Sequence, residues 1–457
     1  MRFLLSLLCL LSVSPSFAAK TVSTKAVAQI TARGLTDAPV PAPEMSAIPE
    51  GRYWVVVRCS GPAERSRLAE IGLDIAEIKG GTVAGVISSG LLEVVERAGF
   101  KVQFKTSLEK YNASMGRDFP QQDQIYHNYD EQNSMLKDLA KQNVGAAALG
   151  TAGASSGGRG IAVIKISLPN PKYDSRGPDA PKKPAIALVG QHHAREHVSA
   201  EVPLNVASFL LSNKDNPKIK TLLENVDVYV LPSVNPDGAE YDIVGGSYHY
   251  WRKNARKLPD GNIGVDLNRN YDSFWGGPGA SPNPSADTYR GPSAFSEPES
   301  QTVKAFFDGH PEVTICISYH SYGGDVMYPW GGSEGDISSA KDLQVFKKMT
   351  SDVAKLTGYR PSKSSEMYVA TGDFTDWLYA AHNVFALTIE LSPKGGGGGF
   401  YPGADAIGQM SPGNIDAVVY LMGFADNPYR LLDKEPKSLL DLQKEAAEKT
   451  AEKAEAK

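Results

Sequence analysis

Three separated stretches of the chain carry residue types that could share one zinc ion. They are Gln191-His192-His193-Ala194-Arg195-Glu196, Ser318-Tyr319-His320-Ser321-Tyr322 and Leu387-Thr388-Ile389-Glu390. The first two supply histidines and a carboxylate, and the third supplies a lone acid at the end of an apolar run. Two histidines and one glutamate around zinc leave a fourth position for water, the pattern of a catalytic rather than a structural site. His193 and Glu196 stand three apart, close enough to share a metal, whereas His320 must be brought to them by the fold. Alone, each histidine also reads as a hydrogen-bonded residue at a strand end; the signal becomes specific only through company.

The elements that must position these residues are legible from hydrophobic pattern. Ile161 to Ile166, Ile186 to Val189, Val226 to Leu231, Val313 to Ser318 and Val384 to Leu391 are short apolar runs suited to buried strands. Val198 to Leu211 and Lys341 to Leu356 read as helices between them. The alternation predicts an α/β fold: a central mixed, largely parallel sheet with helices on both faces. The first His-rich stretch follows the strand ending at Gly190, and His320 follows Val313 to Ser318. Both then lie at the C-terminal edge of the sheet, where open α/β folds place their sites.

Upstream, Tyr53 to Arg58, Pro62 to Ile71, Leu73 to Ile78, Thr82 to Ile87, Ser88 to Ala98 and Phe100 to Phe104 read as strand, helix, two strands, helix and strand. That βαββαβ order predicts a small ferredoxin-like α+β module. It holds no cluster of catalytic residue types and reads as a folding or inhibitory module. The expected organisation is a signal peptide over 1–18, a lead-in over 19–49, this module over 50–106 and a linker over 107–124. A catalytic domain over 125–430 and a charged tail over 431–457 follow. Arg117-Asp118 in the linker is the expected processing point.

Composition narrows the function class. The chain has 457 residues, 41% hydrophobic and 22% charged, with a net charge of −5, so no broad basic surface for nucleic acid is implied. Arg2, the apolar Phe3 to Val13 and Ser16-Phe17-Ala18 fit a cleavable secretory signal, too short to span a membrane. A secreted or periplasmic protein without a membrane span is expected. Beyond Cys9, only Cys59 and Cys316 remain, and both read as small buried hydrophobes rather than a disulfide framework. Gly395 to Gly399 lacks the Lys-Ser/Thr of a phosphate loop and reads as a surface loop. The tail from Lys434, where Glu445 and Lys449 are spaced to pair, reads as a solvated helix.

Further motifs supply the company. Tyr250-Trp251-Arg252-Lys253-Asn254 is followed by Gly264-Val265-Asp266-Leu267-Asn268-Arg269-Asn270, then Tyr368-Val369-Ala370-Thr371-Gly372-Asp373-Phe374-Thr375-Asp376-Trp377, then Glu390. With these, the chain from about Tyr126 to Tyr429 resembles the zinc metallocarboxypeptidases typified by the pancreatic enzymes. His192 to His197, Asn235-Pro236-Asp237-Gly238, Gly246-Ser247-Tyr248 before Trp251, Thr371-Gly372-Asp373 and Asp118-Phe119-Pro120 are most similar to the bacterial carboxypeptidase T branch.

The resemblance implies roles. His193, Glu196 and His320 hold the single zinc, and the glutamate three positions on selects His193 over His192. Asp266 accepts the other ring N–H of His193. Glu390 acts as general base on the water that zinc activates, and Arg252 faces the oxyanion. Asn268 and Arg269 clasp the terminal carboxylate, which suits a planar guanidinium. Tyr368 folds over the bound residue, and Arg195, Ser321 and Tyr322 contact the residue before it. Asp373 matches an acid of the bacterial branch and implies a pocket for large apolar and basic C-terminal residues, with Met327 and Gly331 as further lining and Thr375 in place of the family's apolar or acidic residue.

The resemblance therefore implies a monomeric zinc peptidase made as a proenzyme, acting on peptide or protein C-termini, with the N-terminal module as its intramolecular partner. Structural calcium would draw on Tyr173-Asp174 and Asp179, although as a pattern these read as a solvated loop. Two alternatives are a zinc peptidase acting on peptidoglycan stem peptides and a non-catalytic peptide-binding relative. The second class usually lacks a ligand or the base, and here both are in the sequence.

Overall fold

The computed structural model describes residues 51–108, 123, 125–173, 181–393, 398–442 and 444. The signal peptide, the lead-in, Arg117-Asp118, Asp174 and Asp179, the first glycines of the Gly395 run, and Glu445 with Lys449 lie outside the described residues.

The N-terminal unit follows the order β1 (Arg52–Arg58), α1 (Pro62–Ile71), β2 (Asp74–Lys79), β3 (Thr82–Ser88), α2 (Ser89–Arg97) and β4 (Val102–Ser107). Its strands pair antiparallel in the order β2-β3-β1-β4, the ferredoxin-like arrangement. Strand alternation splits β1 between two faces. Val55 and Val57 pack under Leu68, Leu91, Leu92 and Val95 of the two helices. Trp54, with Ala84, Val86 and Leu108, faces the larger domain and packs on Tyr248, Tyr250, Phe400 and Tyr401. The last strand runs to Ser107, three residues beyond Phe104 and into the segment expected to be linker, because its polar residues pair with β1 through Tyr53↔Ser107.

The larger domain continues with α3 (Tyr129–Gln142), β5 (Ala147–Ala154), β6 (Gly160–Ile166), β7 (Ala185–Gly190), α4 (Val198–Ser212), α5 (Pro217–Asn225), β8 (Asp227–Leu231), α6 (Pro236–Asp242), α7 (Pro298–Gly309), β9 (Val313–Ser321), β10 (Asp325–Tyr328), α8 (Ala340–Thr357), β11 (Arg360–Lys363), α9 (Ser364–Met367), α10 (Phe374–His382), β12 (Phe385–Leu391) and α11 (Asp405–Met422). Eight strands form one sheet in the order β11-β10-β12-β9-β7-β8-β6-β5. The central β12-β9-β7-β8 run is parallel, and β10–β12, β8–β6 and β6–β5 pairs are antiparallel. The sheet is therefore mixed, with helices on both faces.

The continuous apolar strands are explained by that double covering. Along β7, Ile186 and Leu188 enter a core with Val202, Val206 and Leu210 of α4 and with residues of α8 and α11. Ala185, Ala187 and Val189 enter the opposite core with Val303, Phe306 and Phe307 of α7 and Phe374, Trp377 and Leu378 of α10. Gly190 closes β7 where a Cβ would collide with the carbonyls of Ser199 and Pro232, so the chain can turn tightly into the His-rich stretch.

Three strands escape the hydrophobic pattern. β5 is Ala, Gly and Thr apart from Leu149, β10 is only Asp325–Tyr328, and β11 reads Arg-Pro-Ser-Lys. The first and last are sheet edges, where a proline and small residues are tolerated.

Candidate active site

β9 extends through Ser321, past the expected end at Ser318, because it stays in register with β12 as far as Ser321↔Leu391. His320 thus lies within the strand, directly beside Glu390. The turn between β7 and α4 carries His193 and Glu196 up to it. The three ligand atoms of His193, Glu196 and His320 lie within 4.8 Å of one another, and all three residues are buried. His193 Nδ1 is 2.7 Å from Glu196 Oε1, and His320 Nδ1 is 3.0 Å from Glu196 Oε2 and 3.2 Å from His193 Nδ1.

The opposite ring nitrogens point to orienting groups. His193 Nε2 is 3.3 Å from Asp266 Oδ1, and His320 Nε2 is 3.1 Å from Ser318 Oγ. Both Nδ1 atoms are left facing the same space, and the donor set fits a zinc ion. Burial opposes a charged Glu196, but His193 and His320 outweigh it and hold its carboxyl far below the usual range. His192 turns away: its Nε2 meets the Tyr271 hydroxyl at 2.9 Å and its ring packs on Phe374.

Glu390 lines the same cleft and is partly buried. Burial, then the Glu196 charge, push its carboxyl up to about 8, with Asp325 adding to the rise. A divalent cation at the neighbouring ligands would draw that value back down. Arg252 donates through Nε to Asp266 at 2.9 Å. Burial alone would disfavour its charge, but Asp266 and Asp74 keep it firmly protonated.

The cleft encloses ≈770 Å³ and also reaches Arg195, Asn268, Arg269, Ser321, Tyr322, Met327, Gly331, Tyr368 and Asp373. The site residues expected from the sequence line it, apart from Asp266 behind His193 and the buried Thr375. Arg269 donates to Gly279 O and Asn268 O at 3.0 and 2.7 Å, and its Nη2 lies 3.1 Å from the Tyr368 hydroxyl. Asn268 receives the Phe374 N–H and donates to Asp373 Oδ2 at 2.9 Å. Asp373 Oδ1 accepts from the Thr375 amide and hydroxyl and the Asp376 amide. Burial and the Asp373 charge raise the Asp376 carboxyl well above its usual value.

Residues of the N-terminal unit also enter the cleft, which sequence reading did not foresee. Asp74, at the start of β2, pairs with Val86 and so shares the face turned to the larger domain. Its carboxylate contacts Arg195 Nη2 and lies 3.2 Å from Arg252 Nη1. Burial works against this charge, but the two guanidiniums outweigh it and hold the carboxyl low. Nearby, the Tyr322 hydroxyl donates to Glu77 at 2.9 Å. An acid among apolar strand residues carries no motif, so nothing in the sequence singled out Asp74. Phe400, 3.8 Å beneath the Arg195 guanidinium, was likewise missed. Cys59 and Cys316 are free and buried, as expected.

Residues 132–416 match the family model described as zinc carboxypeptidase. A zinc carboxypeptidase of Saccharothrix mutabilis subsp. capreolus is 27% identical over 86% of this chain and 93% of its own length. Mouse carboxypeptidase A2 is 32% identical over 66% of this chain and 71% of its own. Among solved structures, carboxypeptidase A from Helicoverpa armigera shares the fold, with a TM-score of 0.65 at 23% identity over 85% of this chain and all of that one.

Proposed function

The chain belongs to the zinc carboxypeptidase family, and on that premise we propose that it is an exported proenzyme that removes C-terminal residues from peptides and proteins, with Glu390 as general base. The observation that carries this reading is the convergence in one cleft of the His193–Glu196–His320 donor set, Glu390, Arg252 and the Asn268–Arg269 pair. Zinc held by the three ligands would polarise the scissile carbonyl and make a water acidic near neutral pH. Arg269 and the second amide N–H of Asn268 grip the terminal carboxylate, which confines cleavage to the last peptide bond. Tyr368, already bonded to Arg269, closes over the bound residue. The Glu390 carboxylate takes a proton from the attacking water and delivers it to the leaving nitrogen. The Arg252 guanidinium, kept charged by Asp266, stabilises the developing oxyanion.

Specificity is assigned to the wall formed by Met327, Gly331, Ala370, Asp373 and Thr388. Among the described residues Asp373 has no ion-pair partner, so its charge is available to a basic side chain, while the wall also admits large apolar ones. The N-terminal unit is read as an inhibitory prodomain: it places Asp74 on the two arginines that a substrate and its oxyanion need. Arg2 and the apolar Phe3 to Val13 support export, and no helix among the described residues is long and apolar enough to cross a membrane. The test is hydrolysis of a C-terminal peptide library by the zinc-loaded chain before and after cleavage near Arg117, beside Glu390→Gln. Release of C-terminal residues that falls at least 10²-fold in Glu390→Gln is expected. Activity surviving that substitution would reject the assigned base.

A further inference from the structure

Arg252 is delivered to the cleft by a strained turn. Tyr250, two residues before it, has φ +56°, a left-handed conformation that costs a non-glycine residue about 1–2 kcal/mol. Both amides next to this strain are tied down. The Tyr250 N–H donates to the Tyr401 hydroxyl at 3.1 Å, and the Trp251 N–H donates to Asp242 Oδ1 at 2.6 Å. The Tyr401 hydroxyl in turn donates to Asp242 Oδ2 at 2.9 Å.

Asp242 accepts a further hydrogen bond from the other side of the site. The Gln191 side-chain amide donates to Ala194 O at 3.3 Å and lies 3.2 Å from His197 Nδ1. His197 Nδ1 is therefore the acceptor, and its Nε2–H donates to Asp242 Oδ2 at 2.9 Å. One carboxylate thus gathers donors from three segments, each a single residue from the cleft. His197 follows Glu196, Trp251 precedes Arg252, and Tyr401 follows Phe400, on which Arg195 stacks. The same segments are joined by Ala194 N to Arg252 O at 3.0 Å and Arg195 N to Trp251 O at 2.8 Å.

Asp242 itself ends α6, is fully buried and lies outside the cleft lining. Among the described residues, no lysine or arginine pairs with it. A buried carboxylate without a full countercharge is costly to keep, and such costs concentrate where geometry matters for function.

We propose that Asp242 is a positioning residue of the active site, which holds the strained Tyr250–Trp251 turn and the Glu196–His197 turn together so that Arg252 meets the oxyanion. The inference rests on the hydrolytic reading above for its consequence, but not for its geometry. Asp242→Asn keeps the shape and removes the charge that accepts three donors. In the full-length, zinc-loaded chain processed near Arg117, kcat for a blocked dipeptide should fall on the order of 10²-fold, with KM changed by no more than about twofold.

In an Arg252→Ala background, Asp242→Asn should add no further loss, because both act through one guanidinium. A crystal structure of Asp242→Asn should show the Arg252 guanidinium displaced from Asp266. Multiplicative losses in the double variant, or an unmoved Arg252, would overturn the proposal. If Asp242→Asn does not fold, Tyr401→Phe, which removes the hydroxyl between Tyr250 and Asp242, carries the same cycle and the same structural comparison. A parent chain that hydrolyses nothing would refute the peptidase reading alone, and the Arg252 displacement would still decide the role of Asp242.

Discussion

On the proposed reading of the N-terminal unit as an inhibitory prodomain, replacing Asp74 by Asn should raise the activity of the uncleaved chain. The native carboxylate is buried between Arg195 and Arg252, whose side chains are 1% and 6% exposed, so water and salt screen the contacts little. The amide keeps the shape and one acceptor but leaves two buried guanidiniums without a shared counter-ion. Removing one partner of such a buried, hydrogen-bonded charge pair costs roughly 2–5 kcal/mol. Taking about 3 kcal/mol, the balance between docked and undocked prodomain shifts on the order of 10²-fold. The remaining contacts are untouched, including the Arg52–Asp287 ion pair, Tyr322 on Glu77 and Val369 N–H on Ser66 Oγ at 3.0 Å. Docking should therefore weaken without the module unfolding. The assay is blocked-dipeptide hydrolysis by the uncleaved chain, with gel analysis for integrity and the processed enzyme as ceiling. Uncleaved Asp74→Asn should gain up to that factor, while the processed forms, which no longer carry residue 74, should be identical. An uncleaved variant as silent as its parent would refute the latch, and so would a parent as active uncleaved as processed.

Asp373 should separate into two functions. Asp373→Asn should lower kcat/KM for C-terminal Arg relative to Leu by about tenfold, whereas Asp373→Ala should weaken every substrate because Asn268 loses its anchor; a parent that refuses C-terminal Arg would end the idea. Chelation should abolish activity and lower Tm, since the buried Glu196 and its two histidines lose their shared cation, with zinc restoring both; unchanged Tm and activity in metal-free protein would contradict the assigned centre. Glu299 offers a pH test of stability. Burial first, then Glu297 and Asp237, raise its carboxyl from 4.5 to about 7 in the folded state. Below pH 4.5 both states hold the proton; as pH rises towards 7 only the unfolded state releases it, so stability should fall by up to ~3 kcal/mol. Urea unfolding at pH 5 and pH 8 should show that loss in the parent and a flatter profile in Glu299→Gln; equal slopes would refute it.

Much of the site was legible because its parts are local. The spacing of His193 and Glu196, the placement of His320 and Glu390 on apolar strands, and the Trp251-Arg252 and Asn268-Arg269 pairs are short-range patterns. The strands that carry them are buried on both faces, so their apolar character survives in sequence. The βαββαβ order of the N-terminal unit was readable from its own local runs of apolar and β-branched residues.

What tertiary structure decided depends on neighbours distant in sequence. The resemblance had already selected His193 over His192; the turn after β7 supplies the physical reason, sending His193 towards Glu196 and His320 and His192 to Tyr271. Only the docking of one domain on another turns Asp74, an unremarkable strand residue, into the counter-ion of two arginines that line the cleft. Only the meeting of three loops makes Asp242 their common acceptor, and only pairing with Asn268 gives Asp373 a second task. Periodicity and motif report what a residue does within a few positions of chain. The energy of a buried charge depends on what the fold sets against it, and that partner leaves no mark on the residues beside it.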